Sequence, residues 1–263
     1  MDCQETTLPL LGSDEETAFA LVNLVGSSPV VLVCDHASNS VPRCLRNLGL
    51  DKKQLADHIA WDPGAADVAR RLSVDLDAAL VLSNYSRLVV DCNRPLRSPE
   101  SVPEQSAGVI VPGNSELSLT DKERRVNAIF RPYHDAITRL LDERGRRPTL
   151  LLSIHSFTPN LNGQSRPWHI GISHRRNRQL AELLLNALRR RRDIFVGDNE
   201  PYPIDDDFDY TIPTHGDARG LPCVMIEIRQ DGIRTADGVE AWAARLAVAY
   251  REIKADALNL VCV

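Results

Sequence analysis

The sequence predicts an α/β protein, a three-layer α/β/α sandwich around a mixed, mostly parallel sheet. Continuous apolar runs of strand length occur at residues 30–34, 149–154 and 222–228. These runs alternate with segments whose apolar residues recur at helical spacing, which is the pattern of βαβ units. Polar residues follow or interrupt each run, as expected where strands of such a sheet end at a ligand-binding crevice.

The elements follow one another along the chain. A polar, weakly patterned stretch at 1–28 is interpreted as a possible N-terminal arm. After the strand at 30–34 and a short helix at 51–59, Asp62-Pro63-Gly64 begins a stronger helix, because Asp is a good N-cap and Pro suits the first helical position. The remaining predicted elements are strands at 79–82 and 88–90, a helix opened by a capping box at Thr120 and kinked at Pro132, strands at 149–154 and 168–173, a helix at 176–191, strands at 194–197 and 222–228, and a helix at 236–258.

Three long segments between these elements are predicted to be loops, at 95–119, 156–167 and 198–220. Loops of this length in a compact domain are usually functional. We expect all three to surround one mouth.

Composition narrows the class of protein. The 263 residues, 43% of them hydrophobic, suit a single domain spanning 1–263. The net charge of -5 argues against a nucleic-acid partner, which requires a basic surface. The basic run at 189–192 ends a predicted helix, where cations complement the helix dipole.

Cysteine usage and hydropathy predict a location. None of the six cysteines forms a C-x-x-C pair, so a cysteine zinc site is not expected. The acidic start is unlike a signal peptide, and no apolar run approaches the length of a membrane span. We therefore expect a cytoplasmic protein without a membrane partner, whose oligomeric state the sequence does not indicate.

Two histidines at matching positions predict a metal site. His36 follows the strand at 30–34, and His155 follows the run at 149–154. Neutral imidazoles are common zinc ligands, and a catalytic zinc usually takes three protein ligands. The candidates for the third ligand are Asp35, Asn39 and Asp62. Two of them have an alternative to binding the metal. The alternative for Asp35 is to orient an imidazole, and the alternative for Asp62 is to cap a helix.

Glu227 lies within a hydrophobic strand, where an unpaired carboxylate is costly. It is either the ion-pair partner of Arg229 or a general base acting on water.

A second polar group ends the strand predicted at 88–90. There Arg87 and Asp91 are expected to form a structural pair, and Asn93 and Arg94 to face a ligand carboxylate.

The remaining histidines carry less weight. His215 lies in a Gly-containing loop. In one interpretation this loop reaches the mouth, and His215 then binds substrate or transfers a proton. His134 is expected to be a surface residue or a satisfied core residue.

Five short motifs between residues 30 and 230 together resemble the N-formylglutamate amidohydrolase family, and more distantly the zinc carboxypeptidases and aspartoacylases. They are Asp35-His36-Ala37-Ser38-Asn39, Trp61-Asp62-Pro63-Gly64-Ala65, Asp91-Cys92-Asn93-Arg94-Pro95, Ser153-Ile154-His155-Ser156-Phe157 and Ile226-Glu227-Ile228-Arg229. One departure stands out, because the carboxypeptidases and aspartoacylases have His-x-x-Glu where this chain has Asn39.

The resemblance implies a zinc-dependent amidohydrolase that acts on a small N-acyl amino acid. N-formyl-L-glutamate, an intermediate of histidine degradation, is the implied substrate. One Zn²⁺ is expected on His36, Asp62 and His155, with Glu227 as the base. The resemblance also implies that Asn93 and Arg94 bind the substrate carboxylate, and that Arg229 orients Glu227 or binds a second carboxylate. The alternatives are a carboxypeptidase-like or other N-acyl amino acid hydrolase, and a non-catalytic binding protein for acidic metabolites.

Overall fold

A computed structural model describes residues 9–161, 163–176 and 178–261 of the chain, so residues 1–8 of the proposed arm lie outside it. The strands are β1 Phe19–Val22, β2 Val30–Cys34, β3 Ala79–Ser83, β4 Gln105–Ser106, β5 Val109–Ile110, β6 Leu150–Phe157, β7 Asn160–Leu161, β8 Gln164–Ser165, β9 Ile170–Ser173, β10 Val196–Asp198 and β11 Cys223–Arg229. The α-helices are α1 Lys52–Ala56, α2 Ala65–Leu76, α3 Leu119–Arg125, α4 Arg131–Arg144, α5 Gln179–Arg189 and α6 Ala236–Asn259.

Seven strands form the main sheet in the order β1-β3-β2-β6-β11-β9-β10. The four strands β3, β2, β6 and β11 are parallel to one another, and β10 is parallel to β9. Two pairs are antiparallel, β1 with β3 and β9 with β11. The predicted mixed, mostly parallel sheet is therefore confirmed.

Helices cover both faces of this sheet. Alternate residues of a strand point to opposite faces. Leu32 of β2 accordingly belongs to the core cluster that includes α2, α5 and α6, and Val33 belongs to the cluster that includes α4. Both faces of the central strands are buried, which explains why they read as continuous apolar runs. The three-layer sandwich is confirmed.

The strand predicted at 88–90 is wrong, since these residues form a turn. Side chains take the carbonyl groups that a neighbouring strand would otherwise bind. Asn114 Nδ2 donates to the carbonyl of Leu88 at 2.8 Å, and Arg125 Nη1 donates to that of Val89 at 3.1 Å. The turn places Arg87 and Asp91 beside the residues that follow β2.

The helix predicted with a capping box at Thr120 is capped two residues earlier. Ser118 Oγ accepts from the Asp121 N–H at 3.1 Å, so Ser118 is the N-cap of α3. A π-helical turn at Val126–Phe130 joins α3 to α4 just before Pro132, the position of the predicted kink.

Part of the proposed arm belongs to the sheet, because β1 pairs along its whole length with β3 as an edge strand. Two of the three predicted long loops contain small hairpins, β4 with β5 and β7 with β8. Within the described ranges, no helix combines the length and apolar character that crossing a membrane requires.

Candidate active site

The topology brings the predicted residues to one edge of the sheet. β2 and β6 are adjacent and parallel, so the residues at and beyond their carboxyl ends, including His36 and His155, lie side by side. β11 is the next strand, and its Glu227 stands opposite His155 in the register. All three side chains are buried and line one cavity of about 490 Å³.

Asp62 joins the two histidines and does not cap a helix. The N-cap of α2 is Gly64, whose φ of 82° suits glycine, and a Cβ there would come within 2.4 Å of the Ile233 carbonyl oxygen. The Asp62 carboxylate is free of that role, and its Oδ2 lies 2.9 Å from His155 Nδ1 and 3.5 Å from His36 Nδ1. One ligand atom from each of the three residues falls within 4.8 Å of the other two.

The outer nitrogen of each imidazole is held by another carboxylate. His36 Nε2 donates to Asp91 Oδ1 at 2.7 Å, and His155 Nε2 donates to Asp35 Oδ2 at 3.0 Å. These bonds turn both Nδ1 atoms toward Asp62. Imidazoles that bind metal ions commonly have this arrangement, with a carboxylate on the nitrogen that faces away from the ion.

Asp35 is fixed by several donors besides His155. Its Oδ1 accepts from the Tyr133 hydroxyl at 2.9 Å and from the Thr211 hydroxyl at 2.6 Å, and its Oδ2 accepts from Ser153 Oγ at 3.0 Å. Burial alone would raise the pKa of Asp35, but the hydrogen bond and charge of His155 lower it below its ordinary value. Asp35 is therefore an ionised, rigid support for His155.

The pair predicted between Arg87 and Asp91 is wrong. Arg87 Nη2 donates to an Asp62 oxygen and, at 2.6 Å, to His36 Nδ1, while Asp91 binds His36 from the other side. Burial alone would raise the pKa of Asp62, but Arg87 and the imidazoles hold it well below the usual range. The Asp62 and His36 side chains thus already bind one cation, the guanidinium of Arg87.

Glu227 is buried and has no ion-pair partner among the described residues. Its Oε2 has no hydrogen-bond partner among the described residues, and the Arg229 guanidinium instead binds Asp231 at 2.8 Å. Burial disfavours the charged carboxylate and raises the pKa of Glu227 to about 7. A carboxyl that exchanges its proton near neutral pH is suited to general acid–base chemistry.

The pKa of His155 is raised like that of Glu227, but for a different reason. Burial opposes a charged imidazole, but the hydrogen bonds to Asp35 and Asp62 outweigh burial and raise the pKa of His155 well above its usual value. Each ring nitrogen therefore faces a carboxylate that favours positive charge.

Sequence reasoning missed His58, which lines the cavity. Its Nδ1 lies 3.6 Å from Asp62 Oδ1 and is buried without a hydrogen-bond partner among the described residues. Burial lowers the pKa of His58 to about 4, so the ring is neutral at pH 7. The only hint in the sequence is its spacing, four residues before Asp62.

Asn93 and Arg94 line the cavity, but most of their polar atoms bind protein. Asn93 Nδ2 donates to Asp209 Oδ1 at 2.9 Å, and its Oδ1 accepts from the N–H groups of Tyr210 and Thr211. Its amide thus ties down the 209–211 segment, and the predicted role of Asn93 in binding a substrate carboxylate stays a prediction. Arg94 donates from Nη1 to the Phe208 carbonyl at 2.8 Å and from Nε to Glu100 at 3.3 Å.

Three other predicted site residues point elsewhere. Asn39 Nδ2 donates to the carbonyl of Leu55 at 2.9 Å, and the described cavity lining does not include Asn39. His215 is buried beside His134, whose Nδ1 lies 2.9 Å from His215 Nε2, and the described cavity lining does not include it. Arg229 is likewise outside that lining, because Asp231 and the carbonyls of Arg166 and Pro167 take its N–H groups.

Two of the three predicted long loops reach the mouth, through Glu100 of the first and residues 202–209 of the last. Among its described residues, the loop at 156–167 contributes only Ser156, which belongs to β6.

Comparison with known proteins identifies the family. The family model of N-formylglutamate amidohydrolase matches residues 28–234, which is most of the chain. The chain belongs to the N-formylglutamate amidohydrolase family. All five quoted motifs lie inside the matched range, so the resemblance is confirmed. No curated protein matches the chain.

Two solved structures are similar to this family member. A gene product from Agrobacterium tumefaciens is 36% identical, with a TM-score of 0.88 over 93% of this chain and 99% of that one. The N-formylglutamate amidohydrolase from Ralstonia eutropha is 19% identical, with a TM-score of 0.64 over 90% of this chain and 97% of that one. The second likeness shows that the fold is shared.

Proposed function

We propose that this amidohydrolase is metal-dependent and hydrolyses the amide bond of a small N-acyl amino acid, with N-formyl-L-glutamate as the first substrate to test. The observation that carries the proposal is the convergence of His36, Asp62 and His155 in one cavity with Glu227, a buried carboxyl that lacks a partner among the described residues.

The donor set fits a divalent ion such as Zn²⁺. Two imidazole nitrogens and a carboxylate oxygen are typical of a catalytic zinc site, which keeps a position open for water or substrate. Both imidazoles are oriented by carboxylates, and the guanidinium of Arg87 already lies against Asp62 and His36. Held by His36, Asp62 and His155, a divalent ion would supply Lewis acidity to the scissile carbonyl and lower the pKa of water.

The surrounding side chains supply the other parts of the reaction. In its ionised form, Glu227 accepts a proton from the attacking water and later donates it to the leaving amine. Arg87 and Arg94 both line the cavity. Arg94 is paired with Glu100, so we assign the substrate carboxylate to the positive charge of Arg87. Burial of the cluster strengthens each of these charge interactions.

We expect purified protein to release formate from N-formyl-L-glutamate, and to lose this activity on removal of metal. The chain should be dialysed against a chelator, assayed, and assayed again after addition of Zn²⁺, Mn²⁺ or Mg²⁺. Circular dichroism of each sample should show that the fold is retained, so that a loss of activity reports the loss of metal. Full activity in the chelated protein would contradict metal dependence.

We expect Asp91→Asn to weaken zinc binding by roughly 10–100-fold, as is typical for removal of the carboxylate behind a metal-binding imidazole. Asn keeps an oxygen that can accept from the Asn93 N–H, but it lacks the charge that stabilises His36. Competition with a chromogenic chelator measures the affinity. Asp75→Asn, in an ion pair with Arg71 on α2, is the control and should bind zinc normally. Equal affinities in the two variants would contradict this role of Asp91.

A further inference from the structure

One part of the cavity wall is apolar, and the proposed reaction does not use it. Tyr202, Pro203 and Phe208 line the cavity, and we call these three residues the aromatic wall. Phe208 is 54% exposed and Tyr202 is 36% exposed. Exposed aromatic surface in a cavity is a favourable site for an apolar part of a ligand, because contact removes that surface from water.

The aromatic wall is held in place before any ligand arrives. The Tyr202 hydroxyl accepts from Arg166 Nη2 at 2.5 Å, and the same guanidinium lies 4.7 Å from the centre of the Tyr202 ring. Ser173 Oγ also donates to the Tyr202 carbonyl, and the Phe208 carbonyl accepts from Arg94. The Tyr202 ring therefore loses little conformational entropy when a ligand binds.

Charged groups next to the aromatic wall are already paired within the protein. Arg94 faces Glu100 at 3.3 Å and Asp209 at 3.9 Å. Asp209 itself accepts from Asn93 Nδ2 and from the Asp205 N–H. A second substrate carboxylate placed here would meet these acidic groups and find Arg94 already neutralised.

The charge of Arg87 is balanced by a different kind of partner. Its opposing carboxylate is Asp62, one of the three residues proposed to hold the divalent ion. An ion bound there would take over the charge of Asp62, and Arg87 would become available to a substrate carboxylate. The cavity then offers one available cation next to a preformed apolar surface.

We infer that this cavity selects N-acyl amino acids that carry one carboxylate and a bulky apolar or aromatic group, in preference to substrates with two carboxylates. The inference rests on the proposed function and narrows its substrate class. The aromatic wall receives the apolar group, Arg87 receives the carboxylate, and Glu100 with Asp209 disfavours a second carboxylate.

Ligand binding tests this inference separately from turnover. Isothermal titration calorimetry on the full chain with Zn²⁺ should compare 3-phenylpropanoate with glutarate and with 6-aminohexanoate. We expect 3-phenylpropanoate to bind at least about tenfold more tightly than either, the scale of discrimination that hydrophobic pockets provide. Binding of glutarate or 6-aminohexanoate with equal or greater affinity would overturn the inference.

Matched variants locate the effect. Phe208→Ala should reduce the preference for 3-phenylpropanoate by roughly tenfold. Phe195→Ala should not, since Phe195 is equally exposed but is not part of the described cavity lining. Glu100→Gln, at a largely exposed position, should tighten glutarate binding by releasing Arg94. Equal losses for both ligands in Phe208→Ala, or unchanged glutarate binding in Glu100→Gln, would contradict the assignment.

Hydrolysis assays then separate this inference from the proposed function. Faster cleavage of N-formyl-L-phenylalanine than of N-phenylacetylglycine would place the apolar group on the amino acid, and the reverse order would place it on the acyl group. Either preference over N-formyl-L-glutamate supports the inference, and a preference for N-formyl-L-glutamate overturns it. If no N-acyl amino acid is cleaved while the binding preference persists, the proposed reaction fails and the specificity of the wall stands.

Discussion

We expect Glu227→Gln to lower kcat by about 10²–10⁴-fold, the usual cost of losing a general acid–base group. Gln preserves the shape of the side chain but does not accept the proton of water. Metal content should be unchanged, because Glu227 is not among the three residues whose ligand atoms converge. Steady-state kinetics on N-formyl-L-glutamate, with elemental analysis of the same sample, measures both quantities.

The pH profile tests the same assignment independently. Burial raises the pKa of Glu227 to about 7, so the ionised base increases as pH rises through neutrality. A bound cation favours the ionised form. In wild-type protein, kcat/KM should therefore rise with pH along an acid limb with an apparent pKa of about 7 or below, and Glu227→Gln should lose that limb.

Glu240→Gln is the matched control for both measurements. Glu240 lies on α6, exposed and paired with Arg71, and it is not part of the described cavity lining. Its variant should have wild-type kcat and an unchanged acid limb. If Glu227→Gln behaves like this control, Glu227 is a buried structural carboxyl and another group is the base.

The central sheet and the residues at its edge were predictable because local sequence carries both signals. A strand buried on both faces is a continuous apolar run, and the polar residue that ends or interrupts it marks the crevice. His36, His155 and Glu227 were found in this way, and parallel neighbours in the sheet place them together. Asp62 was ambiguous from local sequence, since Asp-Pro equally suits a helix N-cap.

Residues whose roles depend on distant contacts were not predictable. Asn93 holds a segment more than a hundred positions away. At 88–90, where a strand was expected, the carbonyls of Leu88 and Val89 bind side chains of Asn114 and Arg125. Arg229 has the right strand face to reach Glu227, yet Asp231 and the distant carbonyls of Arg166 and Pro167 bind it. The aromatic wall comes from a long loop without periodicity, and its position at the cavity has no local signature.

We expect zinc-loaded wild-type protein to hold about one divalent ion per chain, and the His36→Ala/His155→Ala variant to hold almost none. The double variant removes two of the three converging ligand atoms and leaves only the carboxylate of Asp62. Elemental analysis after exhaustive dialysis without chelator measures the ion. Circular dichroism should confirm that both proteins are folded, since each Ala also leaves the carboxylate of Asp91 or Asp35 without its imidazole.

The third ligand is tested by Asp62→Asn, which should bind zinc more weakly than wild type and so reduce activity at limiting metal. Asn caps helices about as well as Asp, and Gly64 is the N-cap of α2, so helix stability should not change. The histidine double variant has its own control, His174→Ala. His174 is also buried and pairs with a carboxylate, Asp198 at 2.9 Å, but it is not part of the described cavity lining. Normal metal binding in Asp62→Asn would reject Asp62 as a ligand. Equal metal loss in His174→Ala would show that the double variant acts through the fold and not through the site.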